Sequence, residues 1–242
     1  MNTRTYQINI GTLCVDVVPK AIKNLHLGVY PPHGRVRVAA PVALTKDAIR
    51  MAIIGKLGWI KKQQARFNDQ LRQSEREMVN GESHYFKGRR YRLKVREQPG
   101  RTNVSLRGVN YIEICVNPHS DATQREQLLL RWYRKELRAL IPPIIEKWEV
   151  KLGVEVTEWG IKKMKTKWGS CNPSARRIWL NLELAKKPLA SLEYIVVHEM
   201  IHLLERRHNN HFKELMDNAL PQWRLTRDEL NQAPLAHEKW KY

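Results

Sequence analysis

One short segment, His198-Glu199-Met200-Ile201-His202, constrains this chain more than any other part of its sequence. It spells HExxH and follows an apolar run over residues 194–197, which predicts a helix. Histidines four residues apart lie on one helical face, so both imidazoles can reach one ion. Neutral imidazole suits zinc, and the intervening Glu199 stands where it can take a proton from a zinc-bound water. The motif therefore predicts a helix that carries a metal site for hydrolysis.

The surrounding sequence favours a real site over a chance match. A bare HExxH also occurs in solvated helices with two incidental histidines. Here Pro188 precedes the motif and residues 189–205 contain neither Gly nor Pro, so an unbroken helix is predicted over that stretch. His208, six residues beyond His202, adds a third imidazole at the offset that HExxHxxxxxH zinc enzymes use.

The third ligand has three candidates. His208 is favoured because the neighbouring Asn209 and Asn210 offer the turn chemistry that returns a chain to its metal. His211 and Glu205 remain open as alternatives. Glu205 can instead orient a ligand from behind, without touching the ion. It also occupies the position where metzincins carry Gly, which argues against membership of that class.

A second block of motifs precedes and follows the helix. Residues 164–171 read MKTKWGSC, residues 178–182 read IWLNL, and His208 with Phe212 forms a downstream HxxxF. This order resembles the YgjP-like zinc metallopeptidase family. The resemblance is dense over residues 164–216, whereas the N-terminal half is similar only in length and strand-rich texture.

The resemblance implies a zincin-like catalytic core with Glu199 as general base and with zinc held by His198, His202 and His208. It implies two activities: a metallopeptidase, and as the alternative a UTP pyrophosphohydrolase, for which Mg²⁺ would be a further cofactor. The chain has no P-loop and no acidic cluster typical of magnesium sites, which favours a polypeptide over a nucleotide substrate. A nucleic-acid-associated protein with a residual metal site is a third class, against which the intact Glu199 argues.

Several residues of the KWGSC segment are candidates for the cleft. Lys165 and Lys167 can stabilise developing negative charge, or be ordinary surface lysines. Trp168 can bind substrate by shaping the cleft wall, or belong to the core. Cys171 lacks a base nearby in sequence and is interpreted as a small residue in a tight loop.

The charge of the chain is the second indication of function. Forty-three Lys and Arg stand against 24 Asp and Glu, a net charge of +19. Such a field attracts anionic substrates and polyanions, so non-specific nucleic-acid contact through a basic surface is expected, with a merely solubilising surface as the alternative.

Composition also bears on location. The longest apolar runs fall well short of the roughly 20 residues that a membrane span needs, and the polar N-terminus shows no secretory signal. Three widely spaced cysteines form neither a CxxC pair nor a disulfide framework. The sequence therefore predicts a cytoplasmic protein without a membrane contact; it carries no signal for the oligomeric state.

Periodicity predicts an α+β fold without internal repeats. Residues 1–118 form a strand-rich part with one long helix over about 45–73, which Thr45 and Asp47 are expected to cap at its start. Residues 119–242 form the zinc-binding catalytic part, unless the two are one continuous unit. Strands are expected from residue 6 to 17 (as a hairpin), and at 25–29, 36–38, 90–96, 103–106 and 111–116.

The catalytic part starts with a helix at Asp121 that Pro142-Pro143 should break or kink, with a second helix following to about residue 152. Strands at 158–164 and 178–184 then form a short sheet on which the HExxH helix stacks. The first of them, if it lies at the sheet edge beside the cleft, can pair with an extended substrate. A helix over about 209–220, with Phe212, Leu215 and Met216 on its buried side, and a polar tail with Trp240 complete the prediction.

Overall fold

A computed structural model describes residues 5–30, 34–69, 76–164 and 167–232. The fold is α+β, as predicted, with three small sheets and six α-helices among these residues. The chain divides into two compact units, and the second comprises residues 74–233. The boundary predicted at 118/119 lies inside the second unit instead, because the strands before it and the helix after it share one core.

The first unit is built on a four-stranded sheet with the order β1-β2-β4-β3. Its strands are β1 (Tyr6–Ile10), β2 (Leu13–Lys20), β3 (His26–Tyr30) and β4 (Arg35–Pro41). The predicted hairpin is present, since β1 and β2 are antiparallel, and β2 then pairs with β4 in parallel. Alternating valines of β2 and β4 point to one face and form the core with three isoleucines of the helical segment that follows.

That following helix is two helices, α1 (Lys46–Ile54) and α2 (Leu57–Asp69), so the prediction of a single helix to about residue 73 was wrong. The interruption falls at Gly55, which caps α1 and disfavours continued helix through its backbone entropy. Thr45 caps the N-terminus as expected, with its hydroxyl oxygen accepting from the Ala48 N–H at 3.2 Å. Residues 70–73 lie outside the described ranges.

The second unit starts with another four-stranded sheet. Its strands are β5 (Ser83–Phe86), β6 (Arg89–Glu97), β7 (Asn103–Arg107) and β8 (Tyr111–Val116). Their order is β5-β6-β8-β7, with antiparallel, parallel and antiparallel pairs, which repeats the topology of the first sheet. The two sheets therefore share one topology, although no repeat was found in the amino-acid sequence. Hairpin and crossover depend on alternation and turns, which different residues can satisfy.

A single helix, α3 (Ala122–Leu152), covers the inner face of this sheet. Asp121 and Gln124 form a capping box at its start, with bonds of 2.7 and 3.1 Å. The prediction of a separate second helix after Pro142-Pro143 was wrong, because one helix of 31 residues runs through both prolines. The buried stripe runs through the prolines from Ile141 to Ile145, so packing along both halves outweighs the lost N–H donors.

A three-stranded sheet follows, with β9 (Glu158–Lys162), β10 (Gly169–Asn172) and β11 (Arg177–Asn181) in the order β10-β11-β9. The predicted pair β9 and β11 is present and parallel. The segment interpreted as a loop contains β10, which pairs antiparallel with β11 because a tight turn at Pro173–Ala175 folds it back. A 3₁₀ turn, Leu182–Lys186, replaces the end of the second predicted strand.

Three helices complete the second unit: α4 (Leu189–Ile201), α5 (Asn210–Ala219) and α6 (Trp223–Gln232). α4 carries the HExxH motif and packs on β10, β11 and α3, while α5 and α6 pack against α4. No helix within the described ranges combines the length and the hydropathy needed to cross a membrane. The predicted tail with Trp240 lies outside the described residues.

His84, on the inner face of β5, makes stability depend on pH. It is 4% exposed, and burial with the nearby Arg76 lowers its pKa to about 4, although a Glu82 carboxylate oxygen lies 3.0 Å from Nε2. In the unfolded chain the pKa of His84 is near 6.5, so between pH 4 and 6.5 the unfolded state binds more protons than the folded state. We therefore expect its contribution to stability to be complete above pH 6.5 and to fall by up to about 1.4 kcal/mol per pH unit towards pH 4. Between pH 6.5 and 4, urea unfolding should show a steeper loss of stability in the native protein than in His84→Gln; equal slopes would contradict the prediction.

Candidate metal centre

The chain changes direction at the end of α4, and this turn creates the site. His198 lies in the last turn of α4 and His202 caps it. The absence of Gly and Pro predicted a helix that continues to Glu205, but α4 ends at Ile201. The N–H of Glu205 still donates to the Ile201 carbonyl at 2.9 Å, so a closing turn forms before the chain returns with His208.

Three imidazoles converge on one point. The Nε2 atom of His208 lies 3.0 Å from Nε2 of His198 and 3.0 Å from Nε2 of His202. All three ligand atoms lie within 4.8 Å of one another. Nitrogens that each lie about 2.0–2.1 Å from a tetrahedral zinc are about 3.3 Å apart, so this donor set fits zinc with a fourth position left open.

The protonation states also suit a metal. Burial lowers the pKa of His198 to about 3, with His202 and His208 adding to the effect, and burial lowers the pKa of His202. Neutral rings offer a lone pair. The Nδ1–H of His202 donates to the Glu205 carbonyl oxygen at 3.0 Å, which leaves Nε2 free to ligate. Nδ1 of His198 is buried and finds no hydrogen-bond partner among the described residues.

Phe212 lies against all three rings. Its ring centroid is 5.0 Å from that of His198, 4.8 Å from His202 and 4.7 Å from His208. Asn209 caps α5 by accepting from the Phe212 N–H at 2.9 Å, which aims the ring at the cluster. The sequence predicted Phe212 only as a buried residue of α5; the HxxxF spacing after His208 was the signal for this packing role.

The two rival ligands lie elsewhere. His211 is exposed, with Nδ1 3.9 Å from a Glu214 carboxylate oxygen. The Glu205 carboxylate accepts from the Arg207 N–H at 2.8 Å and so holds the turn. The predicted supporting role of Glu205 is met by its backbone carbonyl, which contacts His202, and not by its side chain.

Glu199 is buried beside the cluster, only 5% exposed, and faces β10. Its carboxyl group lies directly against Gly169, where an added Cβ would stand 2.5 Å from Oε1. Burial raises the pKa of Glu199 to about 8, and the positive charge of Lys167 opposes this rise. The sequence did not identify the contact, although a glycine inside a strand often marks such a close approach.

The other predicted cleft residues are divided. Lys167 is exposed and close enough for its charge to act on Glu199, whereas Lys165 lies outside the described residues. Trp168 is partly buried against the core, with the Lys187 ammonium 5.5 Å from its ring centroid. Cys171 is half-buried near Glu199. Burial, and to a smaller extent the negative charge of Glu199, raises the pKa of its thiol to about 11. The protonated thiol fits its interpretation as a small structural residue.

Asn181 fixes the segment that leads into β10. Its Nδ2 donates to the carbonyl oxygens of Met164 at 2.9 Å and Lys167 at 2.7 Å. Its Oδ1 accepts from the Glu183 N–H at 3.1 Å. Because these partners are backbone groups, the side chain ties the end of β11 to the segment that leads into β10.

Replacing Gly169 by Ala tests the fit of Glu199. The new methyl group would overlap the carboxyl, so we expect Glu199 to shift while the three histidines keep their positions. A displacement of about 1 Å can cost about 10²-fold in rate, so kcat/KM should fall by that order with zinc content unchanged. Gly58→Ala is the matched control, since a Cβ there meets nothing within 4 Å. Native activity in Gly169→Ala would contradict the inference that a side chain at position 169 displaces Glu199.

Comparison with known proteins agrees with this geometry. No curated protein matches the chain. The family model described as YgjP-like, metallopeptidase domain, matches residues 23–233, which include the whole described metal site. The match covers most of the 242-residue chain and confirms the family indicated by the KWGSC and HExxH motifs. The chain therefore belongs to the YgjP-like metallopeptidase family.

Proposed function

We propose that this protein is a zinc-dependent metallopeptidase with a zincin-like core, in which Glu199 acts as general base. The observation that carries the proposal is the buried carboxyl of Glu199 next to three convergent imidazole nitrogens. His198, His202 and His208 would hold the zinc, which would supply a water of lowered pKa and polarise the bond to be cut.

Glu199 suits both directions of proton transfer. A carboxyl group with a pKa near 8 exchanges its proton close to neutral pH, as a group that takes a proton and returns it to the leaving group must. Its side chain is held between α4 and Gly169, so little reorganisation precedes the transfer. Lys167, exposed beside it, is the group we assign to the negative charge that develops on the substrate.

The edge strand β10 supports an extended polypeptide as substrate. The Asn181 N–H donates to the Trp168 carbonyl at 2.9 Å, so alternation along the antiparallel pair turns the backbone groups of Gly169 and Cys171 away from β11. No other described strand pairs with that edge. A substrate strand added there passes the residue that touches Glu199. We therefore assign the pairing with an extended substrate to β10, whereas the sequence suggested β9 for it.

UTP pyrophosphohydrolysis is the alternative for the same site. Lys167 and the net charge of +19 favour an anionic substrate. The described residues nevertheless group into a ligand cluster of histidines only, without the carboxylates that bind Mg²⁺ for most nucleotide chemistry. The lack of carboxylate ligands in this cluster favours a peptide bond over a phosphoanhydride as the bond that is cut.

A side-by-side assay separates the two. Zinc-loaded protein is incubated with an unfolded polypeptide such as casein and, in parallel, with UTP and Mg²⁺; peptides are followed by mass spectrometry and pyrophosphate by its release. We expect new peptide termini in the native protein and none in His198→Ala. Pyrophosphate release without peptide cleavage would assign the UTP activity, and the absence of both products would contradict the hydrolase assignment for these substrates.

A further inference from the structure

The outer face of the β5–β8 sheet carries a dense group of cations. β6 alternates between inward apolar residues and outward basic ones, and β7 adds a fifth cation. Two tyrosines of the neighbouring strands point to the same side. We call this group the basic face; its members are Tyr85, Arg90, Arg92, Lys94, Arg96, Arg107 and Tyr111, all exposed.

Strand register places the aromatic rings among the cations. Tyr111 on β8 lies opposite Arg92 on β6 and opposite Arg107 on β7. Since neighbouring strands are about 4.8 Å apart, Tyr111 has an arginine residue beside it on each neighbouring strand. Tyr85 lies opposite Arg90 in the same way. The tyrosine side chains are 37% and 44% exposed, so an incoming flat group can reach both rings.

A buried acid holds part of this face in place. Glu113 is 2% exposed, and its Oε1 atom is 3.0 Å from Nε of Arg107 and 3.9 Å from a terminal nitrogen of Arg96. It neutralises a single charge, so the basic face keeps a strong positive excess. Arg90, Arg92 and Lys94 contribute to that excess without taking part in the Glu113 ion pairs.

We propose that the basic face binds single-stranded nucleic acid. Its cations match the regularly spaced phosphates of a polynucleotide. Exposed tyrosines distinguish a single strand from a duplex, because only unpaired bases offer a free ring face for stacking. An acidic polypeptide would use the charges but not the rings. The inference does not rest on the metal site, since all of these residues lie on a separate sheet.

Charge removal on the basic face tests the phosphate contacts. The triple variant Arg90→Gln/Arg92→Gln/Lys94→Gln leaves the Glu113 ion pairs intact. Its matched control is Arg131→Gln/Lys135→Gln/Arg138→Gln, which removes the same charge from exposed positions of α3. Binding of labelled 20-nucleotide oligothymidylate and oligouridylate is followed by fluorescence anisotropy against salt. We expect the face variant to reduce the slope of log K against log salt by about 2, at about 0.7 for each lost phosphate contact, and the control to keep the native slope.

Tyr111→Leu tests stacking separately from charge. We expect about tenfold weaker binding of the single strand with an unchanged salt slope. Thermal unfolding and zinc content should match the native protein in all variants. Equal loss in the α3 control, unchanged binding by Tyr111→Leu, or tighter binding of a duplex of the same length would each overturn the proposal. Binding of polyglutamate by the face, with neither oligonucleotide bound, would assign it to an acidic protein instead.

Discussion

Glu199→Gln should retain zinc and the native fold and lose at least about 10²–10⁴-fold in kcat/KM. The amide keeps the size and most contacts of the carboxyl, including the fit against Gly169, but it cannot accept a proton from water. Because the same group is assigned to return that proton, the loss should lie at the upper end of the range. The measurement is steady-state turnover on the substrate identified by the parallel assay, together with zinc content and thermal unfolding.

Glu214→Gln is the matched control for this change. Glu214 lies on α5, and its side chain is 72% exposed next to His211, so its replacement removes a charge near the site without touching the cluster. Native turnover is expected. A Glu199→Gln protein that holds a full equivalent of zinc and turns over at the native rate would remove the proposed mechanism, whichever substrate is used.

Loss of one cluster histidine should remove the metal. Zinc held by three nitrogens loses a third of its protein ligands when His198 or His202 is replaced by Ala, and we expect no zinc to survive dialysis in either variant. His208→Ala should weaken binding strongly but less completely, because both helix ligands remain in place. Elemental analysis of the dialysed proteins, with one zinc per chain expected in the native form, measures each effect.

His211→Ala serves as the control for the downstream ligand. It lies three residues from His208, is exposed, and points to Glu214 and not to the cluster. We expect it to keep one zinc per chain. A full equivalent of zinc in His198→Ala would contradict the assignment of the whole site. Loss of zinc in His211→Ala, with zinc retained in His208→Ala, would make His211 the third ligand in place of His208.

Local rules predicted much of this fold and failed at identifiable places. Alternation located the strands of both larger sheets except β5, which is short and was not predicted. The caps at Thr45 and Asp121 marked two helix starts. Local rules misjudged Pro142-Pro143, because helix propensity does not contain the packing of a buried stripe on both sides of a proline. They also missed the interruption at Gly55, where a glycine is tolerated in many helices.

The sequence alone predicted which residues form the centre of the site. A spacing of four residues brings His198 and His202 to one face of a helix and leaves Glu199 beside them, and this follows from 3.6 residues per turn. The motif order also sufficed for the family. The sequence favoured His208, but only the tertiary structure brought its ring to the other two imidazoles with His211 turned away, set Phe212 against the three rings and placed Gly169 on Glu199. Those relations depend on how a turn, a helix and an edge strand pack together, and contacts between residues distant in the chain have no fixed spacing in the sequence.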